Sequence, residues 1–438
     1  MKVCCSRRDA TRMSIAASFG AALGFGAGWW TASPVARPAP LSAITNARIF
    51  DGTRVIEADH IVMAEGMIAS IGGAIPAKAA ITDARGAMLL PGLIDSHTHT
   101  DIEGLRTALT FGVTTELDMN GRWPDRDRRR VVGDDALADV RTPGMGLTPP
   151  GGHPTEYQAE SSNPFIRFFR FPTVSTPEEA AAMVGKRVAE GADYIKIFLE
   201  DGEIPGHPGL TMMDDTILRA AVDAAHGFGK LAIVHAVTLE TTRRAIAAGA
   251  DGLAHLFLDR PHTPELIAAI AESGAFVVPC LVLNSSVIGN PAAGLAADPR
   301  VAAKLDRTWI AALNRSFNTF PKARLKDMFA TLQALRAAGV DILAGTDVSD
   351  PLPAFGGLAH GASLHHELQL LVAAGMTPVE ALMAATATPA RRFGLTDRGR
   401  IAEGHRADLV LVDGDPTSTV SDTLSIRGVW RRGIALPL

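Results

Sequence analysis

His97 and His99 stand one residue apart in "LIDSHTHTD", residues 93–101, at the end of an apolar run. Strand side chains alternate, so both imidazoles point to one face while Ser96 and Thr98 point to the other. Two imidazoles aimed at one spot are the start of a metal site. Further candidates fall at the ends of other apolar runs: His235 in "LAIVHA", His255 in "GLAHLF" and Asp347 in "LAGTDVSD". One histidine on an apolar strand is usually a satisfied core residue. Four histidines and an aspartate, gathered at the ends of four such runs, read as ligands. Lys196 in "DYIKIF" lies between apolar residues, where an ammonium is costly to bury unless the side chain snorkels to the rim.

These residues need elements that bring distant runs to one place. From about residue 86 to 395, short β-rich runs alternate with amphipathic Ala/Leu-rich ones. The strand candidates are "LIDSHTH", "VTTELDM", "GMGLTP", "DYIKIF", "LAIVHA", "GLAHLF", "AFVVPCLVL" and "DILAGTDV". Their near-continuous apolar character suits parallel strands buried on both faces. Thr176-Pro177-Glu178-Glu179 and Thr377-Pro378-Val379-Glu380 are helix starts, a capping Thr before Pro with Glu following; Thr263-Pro264-Glu265 is a partial version. The pattern predicts an α/β protein, a (β/α)₈ TIM-like barrel over residues 86–395, whose chemistry sits where strand C-termini converge. Residues 41–85 and 396–438 read as short strands with Gly/Asp turns, predicting a small β-sandwich built from both chain ends. The link of residues 284–323 is long enough to wall the site.

The chain has 438 residues, 47% hydrophobic and 20% charged, with a net charge of −5. That composition suits a globular enzyme and gives no footprint for nucleic acid. The three cysteines, Cys4, Cys5 and Cys280, form no disulfide framework. Lys2, Arg7, Arg8 and Arg12 precede the apolar residues 14–30, and "TASPVARPAP" follows. Residues 1–40 are therefore expected to be a signal peptide of twin-arginine type, and the mature protein to be periplasmic or secreted. Membrane association is expected only through that segment, should it stay uncleaved.

HxH on the first strand, Lys on the fourth, His on the fifth and sixth and Asp on the eighth resemble the amidohydrolase superfamily in its binuclear form. "LLPGLIDSHTH" and "GRIAEGHRADLVLVDGDP" are similar to its opening and closing segments. "GGH" at 151–153 and "ELQLLVAAGMTPVEALMAATATPARRFGL" at 367–395 resemble the imidazolonepropionase-related, prolidase-like branch. The resemblance implies two divalent metal ions, with Zn²⁺ expected, held by His97, His99, Asp347, His235 and His255. It also implies that Lys196, carbamylated by CO₂, bridges them together with a hydroxide. Asp347 and His153 would be catalytic, Asp347 moving the proton and His153 holding the substrate carbonyl. The implied reaction is hydrolysis of an amide, of peptidase or N-acyl amino acid type. Lactone or ester hydrolysis at the same site is the near alternative, and a non-catalytic binding protein on a degenerate barrel the distant one. A small-molecule substrate and a homo-oligomer are expected.

Val237, two past His235, departs from that branch, where His or Tyr is frequent; this argues against dipeptides as substrate. His365 and His366 read as a solvated helix face, and "RWPDRDRRR", residues 122–130, as a solvated loop. "FIRFFRF", residues 165–171, could serve as substrate lid, dimer contact or membrane patch, or simply pack.

Overall fold

The computed structural model describes residues 39–160, 171–352 and 356–437. The signal segment up to residue 38 and all of "FIRFFRF" but Phe171 lie outside the described residues. Among the described residues, no helix is long and apolar enough to cross a membrane.

Parallel strands carry the site. Leu93–Thr98, Val113–Asp118 and Asp139–Arg141 form one parallel sheet. Ile195–Phe198, Ala232–His235, Gly252–Ala254 and Phe276–Val278 form another. Isolated parallel bridges continue the order: Leu147 to Ile197, Val277 to Ile342, and Thr98 to Val348. Helices return the chain between strands, as parallel pairing requires. Thr176 caps Pro177–Ala189, Thr263 caps Pro264–Ser273, and Thr377 with Glu380 forms a capping box on Pro378–Ala384.

The third run departs from expectation. "GMGLTP" supplies only the Leu147 bridge, and the strand lies earlier, at Asp139–Arg141. Pro143 lacks an amide hydrogen and Gly144 adopts φ 68°, so the ladder breaks between them. "RWPDRDRRR" is also not a loop: Asp125–Gly133 is helical and Trp123 is buried. His365 is not solvated either. It is fully buried on the helix Ala362–Ala373, with Nδ1 against Thr423 Oγ1 at 2.8 Å and Nε2 against the Phe111 carbonyl at 2.9 Å.

Both chain ends meet in one six-stranded sheet, ordered Ile434–Ala435, Ile426–Arg431, Leu409–Val412, Met88–Pro91, Arg48–Phe50 and Val55–Ile56. Met88–Pro91 pairs antiparallel with Leu409–Val412 and parallel with Arg48–Phe50. A separate four-stranded sheet holds Met67–Ile71, Ile61–Ala64, Ser42–Thr45 and Ala80–Asp83. Ile44, Ile49, Ile61, Met63, Leu89, Leu409 and Trp430 from the two sheets share one apolar cluster.

Charge ties this region to the parallel strands. Asp139, 6% exposed, accepts hydrogen bonds from Arg398 and from Arg406 Nη1 at 2.9 Å. Burial alone would raise its pKa, but Arg398, Arg141 and Arg406 hold it far below the usual carboxylate range. Removing a buried partner strands the opposite charges, which typically costs about 3–5 kcal/mol. Asp139→Ala should therefore lower unfolding free energy by that order in denaturant titration. Because the folded pKa is depressed, the stabilisation is complete above the ordinary aspartate value of about 4 and fades on acidification below it. A loss under about 1 kcal/mol at neutral pH would show that the network contributes little.

Candidate metal centre

His97 lies inside the strand Leu93–Thr98, and His99 lies just past its end. Asp347 reaches the same point from the segment that bridges back to Thr98. Its Oδ1 is 3.0 Å from His97 Nε2 and 2.9 Å from His99 Nε2. The His97 Nε2 and Asp347 Oδ1 atoms are close but not aligned as a hydrogen bond, and both are buried without a partner. Close donor atoms that do not bond one another are a metal-site arrangement. Ligand atoms of His97, His99 and Asp347 all lie within 4.8 Å of each other, and so do those of His97, His255 and Cys280.

The other candidates surround this group. His255 Nε2 is 3.8 Å from Asp347 Oδ2, and its ring centroid is 4.7 Å from those of both His97 and His235. His235 Nε2 faces Glu200 Oε2 at 3.0 Å. Lys196 is 1% exposed, and its Nζ has no hydrogen-bond partner. His153 sits 4.8 Å from His235, ring to ring, with Nδ1 against Glu156. All seven expected residues line a single cavity of about 350 Å³.

Burial sets the protonation states. It holds His97 at about 4 and pushes His235 and His255 well below the usual imidazole range, leaving their lone pairs free to ligate. Burial also lowers Lys196 to about 8. Burial opposes the Asp347 carboxylate, yet the His97 and His99 imidazoles keep it ionised.

The backbone at the ligands is strained. Asp347 (φ 59°), His255 (φ 84°) and Cys280 (φ 48°) all adopt left-handed conformations, which cost non-glycine residues about 1–3 kcal/mol and cluster at functional sites. Gly345 allows close approach, since a Cβ there would meet the His97 backbone nitrogen at 2.9 Å. Asp95 fastens the same two segments, accepting from His97 N at 3.2 Å, Thr346 N at 3.1 Å and Thr346 Oγ1 at 2.7 Å.

Several site residues escape the sequence reading. Glu200, 2% exposed, accepts from Gly202 N at 2.8 Å besides facing His235. Cys280 Sγ is 3.6 Å from His97 Nδ1. Trp123, Asn284 and Phe317 line the cavity. Glu200 follows Lys196 by four residues and offered a faint signal, as an acid at a strand end. Asn284 and Phe317 fall in the 284–323 link that was expected to wall the site, whereas Cys280 and Trp123 had no spacing to flag them.

An uncharacterised protein of Mycobacterium tuberculosis is 26% identical over 364 residues, covering 78% of this chain and 83% of that protein. Among solved structures, a Xaa-Pro dipeptidase with methionine in its active site has a TM-score of 0.69 at 22% identity, covering 91% of this chain and 100% of that one. Molinate hydrolase has a TM-score of 0.71 at 20% identity, covering 91% and 95% respectively. These likenesses imply a TIM-barrel-like α/β fold. The model of the Amidohydrolase family matches residues 88–435, and the chain belongs to that family.

Proposed function

We propose that the chain is a binuclear metal-dependent hydrolase of amide bonds, of peptidase or N-acyl amino acid amidase type. In this reading the parallel strands close into a (β/α)₈ barrel over residues 86–395, and residues 41–85 with 396–438 make a β-sandwich beside it. The observation that carries the reading is the convergence of four imidazoles, one carboxylate and an unpartnered buried amine on one cavity. The hydrolase names of similar structures, a Xaa-Pro dipeptidase and molinate hydrolase, support the class.

The donor set fits two divalent ions. His97, His99 and Asp347 would hold one, and His235 and His255 the other; mixed imidazole and carboxylate ligation suits Zn²⁺. Bound there, the ions would supply Lewis-acid activation of water and of the substrate carbonyl. Lys196 would join them as a carbamate: the neutral amine attacks CO₂, a C–N bond forms and one proton is released. Its burial and its lack of any other partner suit that modification.

The chain's own residues do the rest. Asp347 Oδ2 faces the cavity beside His255 and is placed to take the proton of the attacking water and deliver it to the leaving nitrogen. Glu156 anchors Nδ1 of His153, and as an imidazolium His153 would have its Nε2–H left to donate to the substrate carbonyl oxygen. We further propose export to the periplasm, on the strength of the basic and then apolar N-terminal segment.

Elemental analysis of protein purified without chelators tests the centre: about two ions per chain are expected. None, after metal and bicarbonate are added back, would overturn the enzyme reading. Asp347→Asn should keep metal while kcat falls by about 10²- to 10⁴-fold; near-normal turnover would remove Asp347 from proton transfer. After incubation with ¹³C-bicarbonate, NMR should show a carbamate carbon in the wild type that is absent in Lys196→Ala. The same spectrum from both proteins would leave Lys196 unmodified.

A further inference from the structure

We propose that Asn284 is a specificity-determining residue that accepts a hydrogen bond from the substrate's N–H, and that the cavity selects secondary amides flanked by a bulky apolar group. The inference rests on the amide-hydrolase reading and names the substrate class of that site.

Asn284 is fully buried on the helix Leu281–Val287 and lines the cavity. Its Nδ2 donates to the carbonyls of Leu256 at 3.2 Å and Pro279 at 3.3 Å. Two carbonyl acceptors require the amide nitrogen on that side, which fixes Oδ1 on the other. Oδ1 has no hydrogen-bond partner among the described residues. A buried acceptor without a donor is unfavourable, and a donor carried by what fills the cavity would relieve it. The proposed ligand atoms follow the same pattern: Lys196 Nζ, His97 Nε2 and Asp347 Oδ1 are likewise buried and unpartnered at this wall.

The surroundings set the rest of the substrate. Val237, Leu258, Leu283, Val287 and Phe317 line the cavity with Asn284, so the partner of Oδ1 arrives on an apolar body. The helix itself is held rigidly. Glu367, fully buried, accepts from Leu281 N at 3.0 Å and Val282 N at 2.8 Å at its first turn. The indole Nε1 of Trp123 is a second buried group without a partner on the lining, and it is an uncharged donor. Thr319 Oγ1 is a third such group, so the unsatisfied groups on this lining outside the proposed metal ligands are all uncharged, which suits a neutral amide. A site built to bond an N–H rejects analogues that lack it, because its own polar group is left unpaired.

Two ligand pairs test this on the metal-loaded protein. Hydrolysis compares phenylacetanilide with phenyl phenylacetate, in which oxygen replaces N–H. Calorimetry compares phenylmethanesulfonanilide with phenyl phenylmethanesulfonate, which resist hydrolysis. The wild type should bind the sulfonamide about tenfold or more tightly than the ester. Asn284→Ala should erase that preference and lower the anilide-to-ester ratio of kcat/KM by a similar factor. A purely structural role would weaken both members of each pair alike, and that result would overturn the proposal. Equal binding of the two sulfonyl ligands by the wild type, or no binding of either, would overturn it even if Asn284→Ala does not fold. Preferential sulfonamide binding without hydrolysis of either carboxylic substrate would sink the hydrolase reading and leave the role of Asn284 standing. Hydrolysis without any binding preference would do the reverse.

Discussion

The site gathers four imidazoles and an amine around the carboxylate of Asp347, most of them buried in the wall of one cavity. Desolvation works against every charged form there. It keeps His97, His235 and His255 neutral and brings Lys196 down to about 8, while Asp347 stays ionised only because two imidazoles touch it. A converging set of neutral imidazoles and one carboxylate suits divalent charge, and many features around the site serve to present those lone pairs at one point.

Holding them there strains the chain. Asp347, His255 and Cys280 sit in left-handed backbone conformations that non-glycine residues avoid. The surrounding structure enforces them. Gly345 lets its segment press against His97, and Asp95 bonds both segments through His97 N and Thr346. Farther out, Asp139 locks the parallel strands to the C-terminal region through Arg398 and Arg406. Rigidity at the ligands is thus distributed over contacts that never touch a substrate, as preorganised sites require.

The alternation of strands and helices was legible because parallel strands buried on both faces leave apolar runs, and Thr-Pro-x-Glu marks helix starts. Six of the residues expected at the site, His97, His99, Lys196, His235, His255 and Asp347, stood out because each sets a polar group in or at the end of an apolar run, whereas His153 rested on the resemblance of "GGH" alone. "GMGLTP" misled, since its apolar character outweighed what Pro143 and Gly144 do to a ladder. "RWPDRDRRR" misled because charge density hid the helix Asp125–Gly133 and the buried Trp123. His365 misled for a different reason. Its two partners, Thr423 and the Phe111 carbonyl, lie far away in sequence, and no local pattern announces them.

The wall of the cavity is the least legible part, and the reason is physical. Metal ligands must satisfy a fixed coordination chemistry, so residue type and position are both constrained. A wall needs only a suitable shape, and Val237 and Leu258 supply it from two connections while Leu283, Val287 and Phe317 supply it from the long one after Phe276–Val278. Any of them read singly is an ordinary core residue. Asn284 differs because a polar group in that wall must be satisfied. Its nitrogen donates to two carbonyls, and its oxygen has no partner among the described residues. Candidate ligands therefore stand out at strand ends, while a wall residue stands out only where the fold leaves a buried polar group unpaired.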